Sequence, residues 1–369
     1  MTNTTKMLTP KYAIPATFKS EDDFLRHLVC KGAERRYRKI TKDILKRIDV
    51  ELETIKQRDF AGYFLLVREI IQAAHEMDIV VGPGRASLGC SIVNYCLGIT
   101  EIDPLRFNLL FERFLTPEQT TPPHFDFDVE EEGREKLLRW LIEKYGKDNV
   151  AQMATFAPNE KLKINPCAVV IGTDILEKSI PVAKIKPWYS DDEMLFTSCE
   201  RSCIEEKGLA VINLLPLRAL SVIKKTLSNI KKTKEITVDL SKINSVYAPN
   251  SWLGAMKASQ LEKMDAKTFE LFRAGDTDDV FQFDSKEKQT YLHWLQPDKF
   301  EDLVALWVLF HQDDTEGIST FINRKRNGDE ISYEFLDSYA SKSHAIAYTL
   351  IGYQMAYLKA NFRDEFEMK

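Results

Sequence analysis

The sequence predicts a mixed α/β protein that gives way to helices, on three observations. Apolar runs of strand length occur at 150–153, 167–171 and 209–212; they read as buried strands covered on both faces. Around them lie stretches with apolar residues at three- and four-residue steps, the pattern of amphipathic helices. From Asp265 to the end the pattern is mostly helical, carried by Phe269, Leu271, Phe272, Phe281, Phe283 and the run 303–310. Strands alternating with helices argue for a sheet with helical cover.

In chain order, Pro10 and Pro15 oppose helix, so the first thirty or so residues are expected to be extended. Thr41 is an N-cap candidate, followed by Ile44, Ile48, Leu52 and Ile55 on one helical stripe. A second helix carries Phe64, Val67, Ile70, Ile71 and Ala74. Ile79-Val80-Val81 reads as a short strand entering the turn Gly82-Pro83-Gly84, and 86–97 as a small, buried helix. A further helix, 133–145, turns Leu137, Leu138, Leu141, Ile142 and Tyr145 inward. Lys224, Lys225, Lys231, Lys232 and Lys234 crowd one stretch, either a DNA contact or a solvated basic helix face. The polar stretch 245–259, with Pro249 and Gly254, reads as a linker or surface insertion.

The 369 residues imply two to three domains, and 44% hydrophobic with 29% charged residues is a globular composition. A net charge of −5 excludes a uniformly basic nucleic-acid coat but not a local basic cleft. No apolar run approaches the ~18 residues that span a bilayer, and the first residues lack the apolar core of a signal peptide. A cytoplasmic protein without a membrane partner is expected. Cys30, Cys90, Cys96 and Cys167 read as small core side chains. Cys199 and Cys203 are four apart, but no Cys or His pair at zinc spacing accompanies them.

Two stretches carry chemistry. In Val80-Val81-Gly82-Pro83-Gly84-Arg85-Ala86-Ser87 a glycine turn points backbone amides, the Arg85 guanidinium and the Ser87 hydroxyl outward, as a triphosphate site needs. Taken alone, the stretch is read first as an ordinary tight strand-to-helix turn. In Pro123-His124-Phe125-Asp126-Phe127-Asp128-Val129, alternation sets Phe125 and Phe127 on the core face and His124, Asp126 and Asp128 on the other. Carboxylates at every second position can share divalent cations, as two-metal phosphoryl transfer requires. An amphipathic edge strand has the same pattern.

Together and in this order, the two stretches resemble the bacterial replicative DNA polymerase III α subunit, the C family of DNA polymerases. Gly98–Pro117 with Phe111-Glu112-Arg113-Phe114-Leu115, Lys144-Tyr145-Gly146 through Thr155-Phe156, and Lys342-Ser343-His344-Ala345 through Tyr353-Gln354 extend the match over most of 20–360. Lys267-Thr268-Phe269-Glu270-Leu271-Phe272 and Phe281-Gln282-Phe283-Asp284-Ser285 look like the family's fingers. The resemblance implies a polymerase-β-like nucleotidyltransferase palm followed by a partial, mostly helical fingers region. The implied division is 1–60 as lead-in, 61–156 and 157–235 as the two parts of the palm, and 236–369 as fingers. It implies template-directed DNA synthesis in DNA replication, Mg²⁺ as cofactor, and DNA and deoxynucleoside triphosphate as partners. Gly84, Arg85, Ser87 and Arg113 would bind the nucleotide, and Asp126 and Asp128 would be catalytic, Asp126 as metal ligand.

The departures are as informative. Of the family's three metal aspartates, the first falls on His124 and the third on Asn213, while the triphosphate lysine is Val211. An imidazole and an amide do not replace anionic oxygens for Mg²⁺. The fingers' L-Y-R-P-G-P has become Leu309-Phe310-His311-Gln312-Asp313-Asp314. The family's PHP domain, its thumb (Thr155-Phe156 run through about eight residues into Asn165), part of the fingers between Arg326 and Lys342, and its C-terminal tail are all expected to be missing. A catalytically impaired polymerase is therefore expected. The alternatives are weak transfer through Asp126, Asp128 and a glutamate from 130–132, or a non-catalytic remnant that binds DNA or a replisome protein.

Overall fold

Ser20 and Thr41 both stand in extended backbone and accept a hydrogen bond from the amide three residues on, at 3.2 and 3.3 Å. Each caps a helix. In this computed structural model, which describes residues 8, 10, 12–156, 162–187, 192–243, 258–339 and 341–368, Ser20 opens α1 (Glu21–Arg36) and Thr41 opens α2 (Lys42–Gln57). The expectation of an extended start is corrected by α1. Both prolines precede its cap and so cannot oppose it, and Leu25, Val29, Gly32 and Ala33 form a buried stripe. A Cβ on Gly32 would fall 1.8 Å from the Cys96 carbonyl oxygen. Cys30, expected in the core, lies on the exposed side of α1.

The expected second helix is α3 (Ala61–Glu76). The stretch that follows differs from expectation. Residues 79–81 form no strand; Val81 makes a single antiparallel bridge to Val129, flanked by bonds from Gly82 N to Asp128 O and from Glu130 N to Val80 O. The helix expected over 86–97 starts late. Ala86 sits at φ 48°, in the left-handed region, and Ser91 is extended, so a 3₁₀ turn (Leu88–Cys90) comes first and α4 is confined to Ile92–Leu97.

Then come β1 (Phe125–Val129), α5 (Glu131–Tyr145), β2 (Val150–Phe156), β3 (Leu162–Ile171), β4 (Val182–Ile185), β5 (Met194–Thr197), α6 (Arg201–Glu206), β6 (Ala210–Pro216) and α7 (Arg218–Lys234). The strands form one mixed sheet in the order β1-β6-β3-β2-β5-β4. The pairs β1–β6 and β2–β5 are parallel; the others are antiparallel. The three predicted strands are β2, β3 and β6. The α/β class and its helical continuation are as expected. Phe156 of β2 pairs with Leu162 of β3, so the two strands are sequential neighbours.

On one sheet face Phe125, Phe127, Val169, Ile171, Ile212 and Leu214 join the main core. Phe125 meets Tyr63, Phe64 and Phe114 edge-on at 5.1, 5.3 and 5.5 Å. On the other, Met153, Ala168, Val170 and Val211 pack with Ile204 and Leu209 in a second apolar cluster.

The rest is helical: α8 (Leu240–Ile243), α9 (Ala258–Ala274), α10 (Lys286–Leu295), α11 (Phe300–His311), α12 (Thr315–Arg326), α13 (Lys342–Asn361) and α14 (Arg363–Glu367). Most of the expected linker, 245–257, lies outside the described residues. Helix α13 is buried almost all round and packs on α7, α9, α11 and the Leu88–Cys90 turn, which ties the helical part to the sheet. Among the described residues no helix is long and apolar enough to cross a membrane.

The short helix α4 is held from outside itself. The fully buried Glu51 carboxylate on α2 accepts from Ser91 Oγ at 2.7 Å and from the Ile92 and Val93 amides at 3.1 Å. Arg47 neutralises it at 2.6 Å. Burial pushes the Glu51 carboxyl up, and these donors pull against it. Glu51→Ala leaves the first amides of α4 without their acceptor and Arg47, still bonded to the Cys90 and Leu109 carbonyls, without its counter-charge, and is expected to cost about 3 kcal/mol in chemical denaturation. A loss under about 1 kcal/mol would show that α4 does not depend on this carboxylate.

Candidate functional site

The site forms where β1 and β6 run side by side. Alternation along β1 buries Phe125 and Phe127 behind the sheet and turns Asp126 and Asp128 to the other face, as expected. Parallel register sets Asp126 opposite Asn213 and Asp128 opposite Leu215. Asn213 Nδ2 donates a hydrogen bond to Asp126 Oδ1. Both residues are half-buried.

Asp128 is in a different position. Its side chain is only 1% exposed, and its Oδ1 accepts from Arg85 Nη1 at 2.8 Å and from the Tyr348 hydroxyl at 3.5 Å. Its Oδ2 has no hydrogen-bond partner. Burial pushes the Asp128 carboxyl up to about 6, against the pull of Arg85. Arg85 also donates to the Tyr348 hydroxyl and lies over that ring, 5.7 Å from its centroid. For Arg85, burial opposes the charge, but Asp128 and Tyr348 outweigh it and hold the guanidinium above its usual range.

The glycine turn is fixed by Thr100 and Glu101, whose hydroxyl and amide both reach Pro83 O at 2.7 Å. A Cβ on Gly84 would lie 2.7 Å from Thr100 Oγ1. The Ala86 amide donates to His344 Nδ1 at 3.4 Å, and Ser87 leads into the 3₁₀ turn. Arg113 is not brought to this cluster. It is exposed and lines a small cleft with Asn108, Lys342 and Ser343.

At the start of β1 the exposed His124 Nε2 lies 3.2 Å from Glu205 Oε1, which also accepts from Arg201 Nε at 2.6 Å. His124 and then Arg201 hold the Glu205 carboxyl below its usual range. Val211 is buried in the second apolar cluster, and its carbonyl accepts from Tyr63 Oη at 2.9 Å. Of the basic cluster on α7, Lys224 is paired with Asp78 and Lys234 with Glu365, while Lys225, Lys231 and Lys232 are exposed.

Sequence reasoning assigned no site role to His344 or Tyr348, which α13 delivers one turn apart. The signal was present: a His and a Tyr at i and i+4 share one face of this helix. His344 packs at a tilt against Tyr348, ring centroids 4.0 Å apart, and meets Trp307 edge-on at 5.7 Å, and Trp307 stacks on His311 at 3.9 Å.

A sequence model described as the bacterial DNA polymerase III alpha NTPase domain matches residues 23–173. A second, the bacterial DNA polymerase III alpha subunit finger domain, matches 219–354. The DNA polymerase III subunit alpha of Treponema pallidum is 30% identical over 395 residues, covering 88% of this chain and 32% of the relative. The subunits of Borreliella burgdorferi and Aquifex aeolicus are each 31% identical, covering 89% and 90% of this chain and 32% and 35% of those relatives. The chain belongs to the bacterial DNA polymerase III α-subunit family. It spans about a third of the length of these polymerase III relatives.

The divalent metal of polymerase III α subunits needs anionic oxygen ligands. Here the strand end offers one carboxylate already bonded to an amide, a second buried against Arg85, and an imidazole engaged with Glu205. Among the described residues no three His, Cys, Asp or Glu side chains are grouped to hold a metal. This donor set does not fit Mg²⁺.

His344 gives the cluster a measurable pH dependence. Burial, then the Arg85 and His311 charges, push its imidazole down to about 4. The unfolded chain takes up this proton near the ordinary value of about 6.5. The stability it contributes is therefore complete above that pH and is lost as pH falls towards 4. Comparing denaturation curves of the parent and His344→Phe should show the parent losing about 2–3 kcal/mol more over that interval. Parallel pH profiles would refute the assignment.

Proposed function

We propose that this chain handles deoxynucleoside triphosphate and DNA as the palm and fingers of a polymerase III α subunit, with nucleotidyl transfer strongly impaired. Template-directed DNA synthesis by two-metal transfer is the reaction of the family. The observation that carries the impairment is the pairing of Asp126 with the Asn213 amide, where transfer would require a second carboxylate. In this reading residues 61–156 and 157–235 are the two parts of the palm, and 236–369 the fingers. Gly84, Arg85 and Ser87 offer amides, a guanidinium and a hydroxyl to phosphate, and Arg113 offers a second, exposed cation. Asp126 faces the site with its carboxylate bonded to the Asn213 amide rather than to a guanidinium. Asp128 instead supports Arg85, so a triphosphate drawn to Arg85 competes with a buried carboxylate.

Primer extension on the whole chain tests the reading. With Mg²⁺ or Mn²⁺, incorporation is expected at least about a thousandfold below that of a three-aspartate family member, and Asp126→Ala should abolish what remains. Deoxynucleotide affinity, measured by fluorescence titration, should fall about tenfold in Arg85→Ala through loss of a charge-assisted contact. Turnover equal to that of the three-aspartate enzyme would overturn the impairment. Absence of any nucleotide binding would overturn the reading itself.

A further inference from the structure

Among the described residues, Asp126, Asp128 and Glu205 at the β1–β6 strand end each have a partner supplied by the chain itself. Asp126 accepts from the Asn213 amide. Asp128 is held by Arg85 and Tyr348, and Glu205 by Arg201 and His124. The first of these matters most, because Asp126 and Asn213 are register partners on neighbouring parallel strands. Two carboxylates in those positions would repel across the strand pair unless a cation lay between them. A carboxamide has nearly the same shape, carries no charge and donates a proton instead. Its neighbours on that face are apolar and buried as well, since Val211, Ala168 and Val170 belong to the second cluster.

We propose that the Asn213 carboxamide stands in for a divalent cation, so that this end of the sheet holds its full stability without metal. The cation requirement is then one substitution away: Asn213→Asp turns a closed amide–carboxylate pair into an open pair of carboxylates that folds fully only around a divalent ion. The inference rests on reading 126 and 213 as the metal-site positions of the family and does not depend on nucleotide binding.

Thermal melting of the whole chain in EDTA and in Mn²⁺, together with the paramagnetic resonance signal of unbound Mn²⁺, tests it. The parent protein should melt at the same temperature in both buffers and leave the Mn²⁺ signal undiminished. Asn213→Asp should melt several degrees lower in EDTA, recover in Mn²⁺ and deplete the signal. Asn213→Leu, which removes the donor without adding charge, should melt lower in both buffers and ignore Mn²⁺. Stoichiometric Mn²⁺ uptake by the parent protein would overturn the proposal. So would an Asn213→Asp variant that melts like the parent in EDTA, or one that gains nothing from Mn²⁺. Should that variant fail to fold, the parent's Mn²⁺ titration and Asn213→Leu still decide. Loss of nucleotide binding would sink the functional reading while leaving these curves unmoved.

Discussion

The parallel pairing of β1 with β6 is the constraint on which the site depends. The two strands bring together Asp126 and Asn213, which are 87 residues apart in sequence. Once paired in register, Phe125 and Phe127 must go to one side with Ile212 and Leu214, because the side-chain period of a strand is two residues. The apolar face sinks into the aromatic group of Tyr63, Phe64 and Phe114, and the polar face is turned to the site with no further choice. A slip of one residue would bury Asp126 and expose Phe125.

Helix α13 supplies the second half of the arrangement. Nearly every residue from Ser343 to Lys359 is buried, so its position is fixed by packing on several sides rather than by one contact. That rigidity carries Tyr348 to Arg85 and His344 to the Ala86 amide. At its start Lys342 Nζ reaches the Phe107 carbonyl at 2.6 Å, and at its end Lys359 Nζ reaches Asp276 and Asp278 at 2.9–3.0 Å. The glycine turn is thereby closed by a helix more than 250 residues away in sequence, as the 263-residue separation of Arg85 and Tyr348 shows. Groups held this way are preorganised, but they are also already engaged.

Much of this was legible in the residues. Long periodic stretches gave α2, α3 and α5, the apolar runs gave the inner strands, and the collinear motifs gave the family. What was missed has identifiable physical causes. Helix α1 was overlooked because its buried stripe includes Gly32 and Ala33, small residues that carry little hydrophobic signal yet allow close packing on α4. The strands β4 and β5 are four residues each, too short for a period to show. The helix expected from Ala86 fails because a left-handed residue and an extended Ser91 break it, and neither is visible in an apolar pattern.

At the site, the sequence by itself determined the donor set: in the proposed reading His124 and Asn213 stand where the family resemblance calls for anionic ligands, and no folding can restore a missing charge. The tertiary structure decided how the surviving groups are used. Asp126 and Asp128 look equivalent on a strand of alternating residues, yet one pairs with an amide at a half-open surface and the other is buried beneath Arg85. The difference comes from what packs over each position, namely β6 on one and the glycine turn with α13 on the other. Those neighbours come from parts of the chain far apart in sequence, so the local pattern carries no trace of them.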